Sequence, residues 1–215
     1  GNLVLGPQAS LASGIIQVNA GATLVVQGTA LNVGAGGKLG GNQGAISGNV
    51  VIKAGATLQT GMNDQTAGKL LLNGNLTIQP GGTNRVVVNK TSSLTNNQVA
   101  GLTSVQIGGT LAIVSKGDPL AVSDEIPLFQ AASYTGAFAQ IIPATPGLGL
   151  DWDASTLLTD GKLRLKNSES LTRTNIAAQV ADGQAILEWP PSHSDWGLQV
   201  QTNPPGAGLG PDWVN

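Results

Sequence analysis

The sequence contains no cysteine, which excludes disulfides, thiolate metal sites and a cysteine nucleophile together and leaves the redox compartment open. Charged residues make up only 10% and aromatics 3% of the 215 residues, and no Phe, Tyr or Trp precedes Phe129. Net charge is −2 with a pI near 5.2, and the ten Lys and Arg are scattered singly except at Lys162, Arg164 and Lys166. A nucleic-acid partner, which requires a concentrated basic surface, is therefore not expected. No stretch reaches the ~18 consecutive apolar residues of a membrane helix, so no membrane span is expected either. The chain opens at Gly1 with neither Met nor a hydrophobic leader, as a mature or excised segment does.

What is present is aliphatic and repetitive. Apolar residues are 40% of the chain, and with so few rings they must build a core of Val, Leu, Ile and Ala. Four segments share a Gly, six residues and a second Gly: GIIQVNAGATL from Gly14, GNVVIKAGATL from Gly48, GNLTIQPGGTN from Gly74 and GLTSVQIGGTL from Gly101. Their starts lie 34, 26 and 27 residues apart. A weaker copy, VGAGGKL, ends at Leu39, and the opening GNLVLGPQASL has the same shape without its second Gly.

Inside each copy the apolar residues fall two apart, at Ile16 and Val18, Val50 and Ile52, Leu76 and Ile78, and Val105 and Ile107. Period two is the signature of a strand with one face inward. The Gly pair or Ala-Gly that follows suits a corner, and Leu24, Leu39, Leu58 and Leu111 then re-enter the core. Strand, Gly corner and strand again, stacked coil on coil, describe a parallel β-helix. A β-sandwich core ordinarily mixes aromatics with aliphatics from two sheets, which the first half of the chain cannot supply. Helix is disfavoured by the 31 glycines spread through the apolar segments, each costing about 1 kcal/mol relative to Ala in a helix.

The fold class expected is therefore all-β: a right-handed parallel β-helix, or β-solenoid, over 1–115, a β cap over 116–166, a polar linker over 167–173, and a small incomplete β module or strand-donating arm over 174–215. Phe129, Tyr134 and Phe138 suit a cap, because the last coil of a solenoid must cover its open edge. GLGLDWDASTLLTDGKLRLK reads as two strands turning at Asp160 and Gly161. Strand candidates in the last module are Ala185 to Trp189, Gly197 to Thr202 and Trp213 to Asn215.

The coils GNVVIKAGATLQTG and GKLLLNGNLTIQPGGTNRVVVN, the segment IPLFQAASYTGAFAQIIPATPGLGLDWDASTLLTDGKLRL and the ending LEWPPSHSDWGLQVQTNPPGAGLGPDWVN together resemble the C-terminal part of autotransporter-associated β-strand repeat proteins. That resemblance implies a large exported surface protein of Verrucomicrobia-like and related bacteria. Relatives of this kind continue past the region of Trp213 with further strands, so the last module reads as incomplete.

Candidate chemistry is sparse. The first acidic residue is Asp64, so the early coils lack the clustered carboxylates with which β-helix lyases and hydrolases work. Asp151, Asp153 and Asp160 have the oxygen ligands for Ca²⁺, but their spacing fits no calcium-loop motif, and turn chemistry is the preferred reading. His193, the single histidine, sits between Ser192 and Ser194 with Asp195 next, and adjacent residues cannot converge as a triad assembled from separated positions. Trp189, Trp196 and Trp213 offer flat indole faces for a sugar ring or a protein partner, against a packing role in a small β module. Sequons occur at Asn75 and Asn89. No catalytic residue, cofactor site or metal site is expected. The expectation is a secreted or cell-surface structural protein that self-associates, as a homo-oligomer or filament, through its strand edges. The alternative is an adhesin-like stalk whose C-terminal module binds polysaccharide.

Overall fold

The computed structural model describes residues 1–7, 10–11, 14–61, 63–168, 176–181 and 184–188. The chain divides into two compact units, Gly1–Asn167 and Ser168–Asn215. The first is a parallel β-solenoid.

Each turn of the solenoid carries three strand segments. The first comprises β1 (Asn2–Leu5), β2 (Ser10–Leu11) and β3 (Gly14–Gln17), and the second β4 (Thr23–Val26), β5 (Leu31–Val33) and β6 (Gly37–Gly41). The third comprises β7 (Ala45–Ser47), β8 (Val50–Ile52) and β9 (Thr57–Thr60). In the next two turns the first pair of segments fuses into one long bent strand, β10 (Lys69–Ile78) followed by β11 (Thr83–Asn89), and β12 (Gln98–Ile107) followed by β13 (Thr110–Lys116). Register shifts around Gly74 mark the bend. Where no wide corner separates two segments, backbone pairing runs through both faces.

The alternation read from the sequence has a direct structural meaning, since inward positions stack like on like between successive turns. One ladder runs Leu31, Val50, Leu76, Val105 and another Val33, Ile52, Ile78, Ile107; all eight are buried. Fully burying such a side chain contributes about 1.5–3 kcal/mol, so the aliphatic ladders dominate the stability of the rod. A third ladder runs Ile16, Leu39, Leu58, Asn84, Leu111, Ile141 along the six-stranded sheet.

Leu24 belongs to none of these. It stacks between Leu3 and Ile46 on a different face. The segment from Gly14 therefore resembles those from Gly48, Gly74 and Gly101 in sequence but lies one face out of phase with them. Every corner of a solenoid has the same strand, turn, strand chemistry, so likeness of the string does not fix the face.

Parallel stacking also continues beyond residue 115. After β14 (Glu125–Pro127), β15 (Phe129–Ala131) and β16 (Tyr134–Gly136) pair with β12, and β17 (Gln140–Ile142) pairs with β13. Six strands on one face thus enclose five turns. The covering layer is a three-stranded antiparallel sheet of β14, β19 (Lys162–Asn167) and β18 (Leu150–Asp153). β18 and β19 are joined by a single helical turn, α1 (Leu157–Asp160), instead of a tight turn at Asp160 and Gly161. Leu157 pins that turn by burying its side chain in the core. In the second unit, β20 (Ala177–Ala181) and β21 (Gln184–Glu188) form an antiparallel hairpin. β21 overlaps the strand expected at 185–189; the strands expected at 197–202 and 213–215 lie outside the described residues.

Candidate functional site at the two ends of the solenoid

Each end of the stack presents outermost strands, β1 and β3 at one and β15, β16 and β17 at the other. At the first turn, the inward ladder position Leu3 is 58% exposed, while Leu24, Ile46 and Leu72 beneath it are 2%, 0% and 0% exposed. Leu3 has the orientation of a core residue. A groove of about 240 Å³, lined by Leu3, Ile16, Val18 and Leu24, opens the core to the outside at this place. Val4 and Ile15 on the same rung are also exposed. β1 and β3 are the outermost strands of their sheets, so one edge of each presents unpaired backbone donors and acceptors.

No charged side chain occurs before Lys38. The Gly1 ammonium donates to the Gly21 carbonyl oxygen of the following turn at 2.6 Å.

The opposite end is aromatic and charged. Ile126, Leu128, Phe129, Leu163 and Leu165 are buried there, and the Phe129 and Phe138 rings stack with centroids 6.4 Å apart. Trp152 donates its indole N–H to the Pro143 carbonyl at 2.8 Å. Outside this layer, Glu125 accepts from Lys162 at 2.5 Å and Arg164 at 2.7 Å, and Arg164 also pairs with Asp160 at 2.6 Å. Lys162 and then Arg164 hold the Glu125 carboxyl below its usual range, and Arg164 does the same to Asp160.

A third feature lies on the corner that follows β9. The loop over 63–68 is tied to the rung beneath by Asp64, which accepts from Arg85 Nε at 2.9 Å and Nη2 at 2.6 Å and from Gln59 Nε2 at 2.8 Å. The Arg85 guanidinium, with help from Gln59, lowers the Asp64 pKa from 3.8 to about 2. A carboxylate with a depressed folded-state pKa stabilises the fold above its unfolded value and loses that contribution as pH falls through the folded one. The melting temperature of Asp64→Asn is therefore expected to lie below wild type at neutral pH, with the gap closing between pH 3.8 and about 2. Thermal melts of both proteins across that range check this, and a gap independent of pH would remove the ion pair from the account. Both partners are partly exposed, so the effect is a modest one.

Asparagines, which the sequence reading passed over, knit the corners together. Asn19 Oδ1 accepts from the backbone N–H of Asn42, and Asn42 Oδ1 from that of Lys69, each at 3.1 Å. Asn49 Oδ1 accepts from the N–H of Asn75 at 3.0 Å, and Asn75 Oδ1 from the Ser104 hydroxyl at 2.8 Å. Each bond joins one turn to the next along the axis. The sequon at Asn75 is thereby part of this series, and Asn89 closes a local turn by accepting from the Thr91 N–H at 3.1 Å. A recurrent Asn beside the corners was the available signal.

Of the residues singled out earlier, Asp151 and Asp153 lie on β18 and Asp160 in α1. Asp153 accepts from the Ser155 N–H at 2.9 Å and Asp160 from the Lys162 N–H at 3.0 Å, both turn bonds. Among the described residues no three Asp, Glu or His side chains gather as a cation site. Trp189, Trp196, Trp213 and His193 lie outside the described residues. No helix among the described residues is long and apolar enough to cross a membrane. No family model matches the chain, and neither a curated protein nor a solved structure matches it.

Proposed function

We propose that this chain is a structural rod: a non-enzymatic scaffold subunit of the bacterial cell surface or extracellular space, which associates with other molecules through its strand edges. The observation that carries the reading is the stack of parallel turns with strand edges left at its end. Among the described residues β15, β16 and β17 each pair on one side only, and an unpaired strand edge is a template for added β-structure. The outward assignment rests on the sequence resemblance described above. A Gly-rich aliphatic stack needs no cofactor to fold, and each turn is supported by its neighbours.

Light scattering on the 215-residue chain over a concentration series tests the association. The expected outcome is a species heavier than the 21.6 kDa chain that is elongated in small-angle scattering. A single monomeric mass throughout would refute the assembly reading.

A further inference from the structure

We propose that Asn73 is a site of spontaneous covalent modification, at which the side-chain amide is lost through attack by the backbone nitrogen of Gly74.

Asn73-Gly74 is the single Asn-Gly pair in the chain, and it lies in the interior of β10. Glycine matters to the chemistry because a residue without Cβ leaves its backbone nitrogen open to the carboxamide carbon of the residue before it. Packing holds that glycine in place. A Cβ at Gly74 would stand 2.3 Å from the Gly48 carbonyl oxygen of the preceding turn, so the close approach of two turns requires the residue that also permits the reaction.

Two further observations leave the amide available. Asn73 is exposed, and among the described residues no hydrogen bond holds its carboxamide, whereas Asn19, Asn42, Asn49 and Asn75 use theirs to clasp the following turn. The pairing of β10 with β12 is also interrupted on both sides of Gly74, with register shifts between Leu71 and Gly74 and between Gly74 and Asn75. Ring closure requires the backbone at Asn73 to leave the strand conformation, and a bend where the ladder is already broken resists that rotation least.

In the reaction the Gly74 nitrogen bonds to Asn73 Cγ, its proton leaves with Nδ2 as ammonia, and a five-membered succinimide remains. Water then opens the ring at either carbonyl, giving aspartate, or isoaspartate with the side-chain methylene in the main chain. Each product adds one negative charge to a chain of net charge −2. That charge enters an uncharged outward ladder, in which Ser47 and Val25 precede Asn73. Isoaspartate also lengthens the main chain beside the point where Gly48 and Gly74 meet. Because the conversion needs only water and time, it marks the age of a chain that is not replaced.

Incubating the folded 215-residue chain at mildly alkaline pH, with the urea-unfolded chain as reference, tests the site. Trypsin releases residues 70–85 as one peptide, which holds Asn73, Asn75 and Asn84. The expected result is that this peptide gains the mass difference between an amide and an acid, with fragment ions placing the change on Asn73, while the intact protein moves to lower pI. The conversion is expected to slow at acidic pH, where the attacking nitrogen keeps its proton, and to stop in Asn73→Gln, whose side chain would have to close a larger ring. An amide still intact at Asn73 in the folded chain after the unfolded chain has converted would overturn the proposal, as would a mass gain located on Asn75 or Asn84 instead.

Discussion

Replacing Gly109 with alanine is expected to destabilise the solenoid by about 2–5 kcal/mol, whereas Gly21→Ala costs about 1–2 kcal/mol. Both glycines turn corners with positive φ, +62° at Gly109 and +76° at Gly21, so both variants incur the left-handed penalty of an L-residue. They differ in what the new methyl group meets. At Gly21 nothing lies within 4 Å, while at Gly109 a Cβ would fall 2.1 Å from the Gly82 carbonyl oxygen and 2.8 Å from that of Gln79. Neither is a side chain that can swing away. The Gly82 carbonyl accepts from the Thr110 N–H at 2.9 Å, so relieving the overlap means lifting one turn off another. Urea unfolding of the two variants checks the difference. Equal losses would mean that the spacing between turns is not set at this corner.

The second large effect runs in the opposite direction. Asn84→Leu is expected to stabilise the protein by about 1–3 kcal/mol, raising the melting temperature by about 2–4 °C for each kcal/mol. Asn84 is 5% exposed and stands between Leu58 and Leu111, which are 1% and 0% exposed, on adjacent strands of one ladder. No hydrogen bond to its amide is found among the described residues. The amide keeps some contact with solvent, unlike Gln59 Oε1 and Asn97 Oδ1, so it gives up only part of its solvation, and leucine would continue the ladder above and below. Calorimetry of the single variant checks the sign. A lower melting temperature would show that the space accommodates an amide but not a branched aliphatic side chain.

Asn84 also shows what kind of information the sequence carries. It occupies the last place of GNLTIQPGGTN, where the segments from Gly48 and Gly101 have Leu58 and Leu111, so the exception stands out once the repeats are aligned. Period two and paired glycines identify strands and corners because both depend on a few neighbouring residues. The face to which a strand belongs depends on how many residues each corner consumes, and that number changes along the rod. Leu39 to Leu58 is 19 residues, Leu58 to Asn84 is 26, and Leu111 to Ile141 is 30. The segment from Gly14 was aligned by its letters and landed on the wrong face for this reason.

The last turn was harder to recognise for a chemical reason. Tyr134 takes the ladder place above Val105, and its hydroxyl accepts from the Ala131 N–H at 3.0 Å and donates to the Phe129 carbonyl at 3.3 Å. An aromatic ring with a satisfied hydroxyl substitutes for an aliphatic rung while interrupting the pattern by which rungs are found. The lack of charge before Lys38 is legible in the sequence, whereas the place of β1 and β3 as outermost strands is not. The pairing of Asp64 with Arg85, 21 positions away, has no local signature at all.

Side chains that reach from one turn to the next make neighbouring turns depend on one another. Asn19, Asn42, Asn49 and Asn75 each hold a group of the following turn, so opening one turn releases a clasp on its neighbour and loosening spreads along the axis turn by turn.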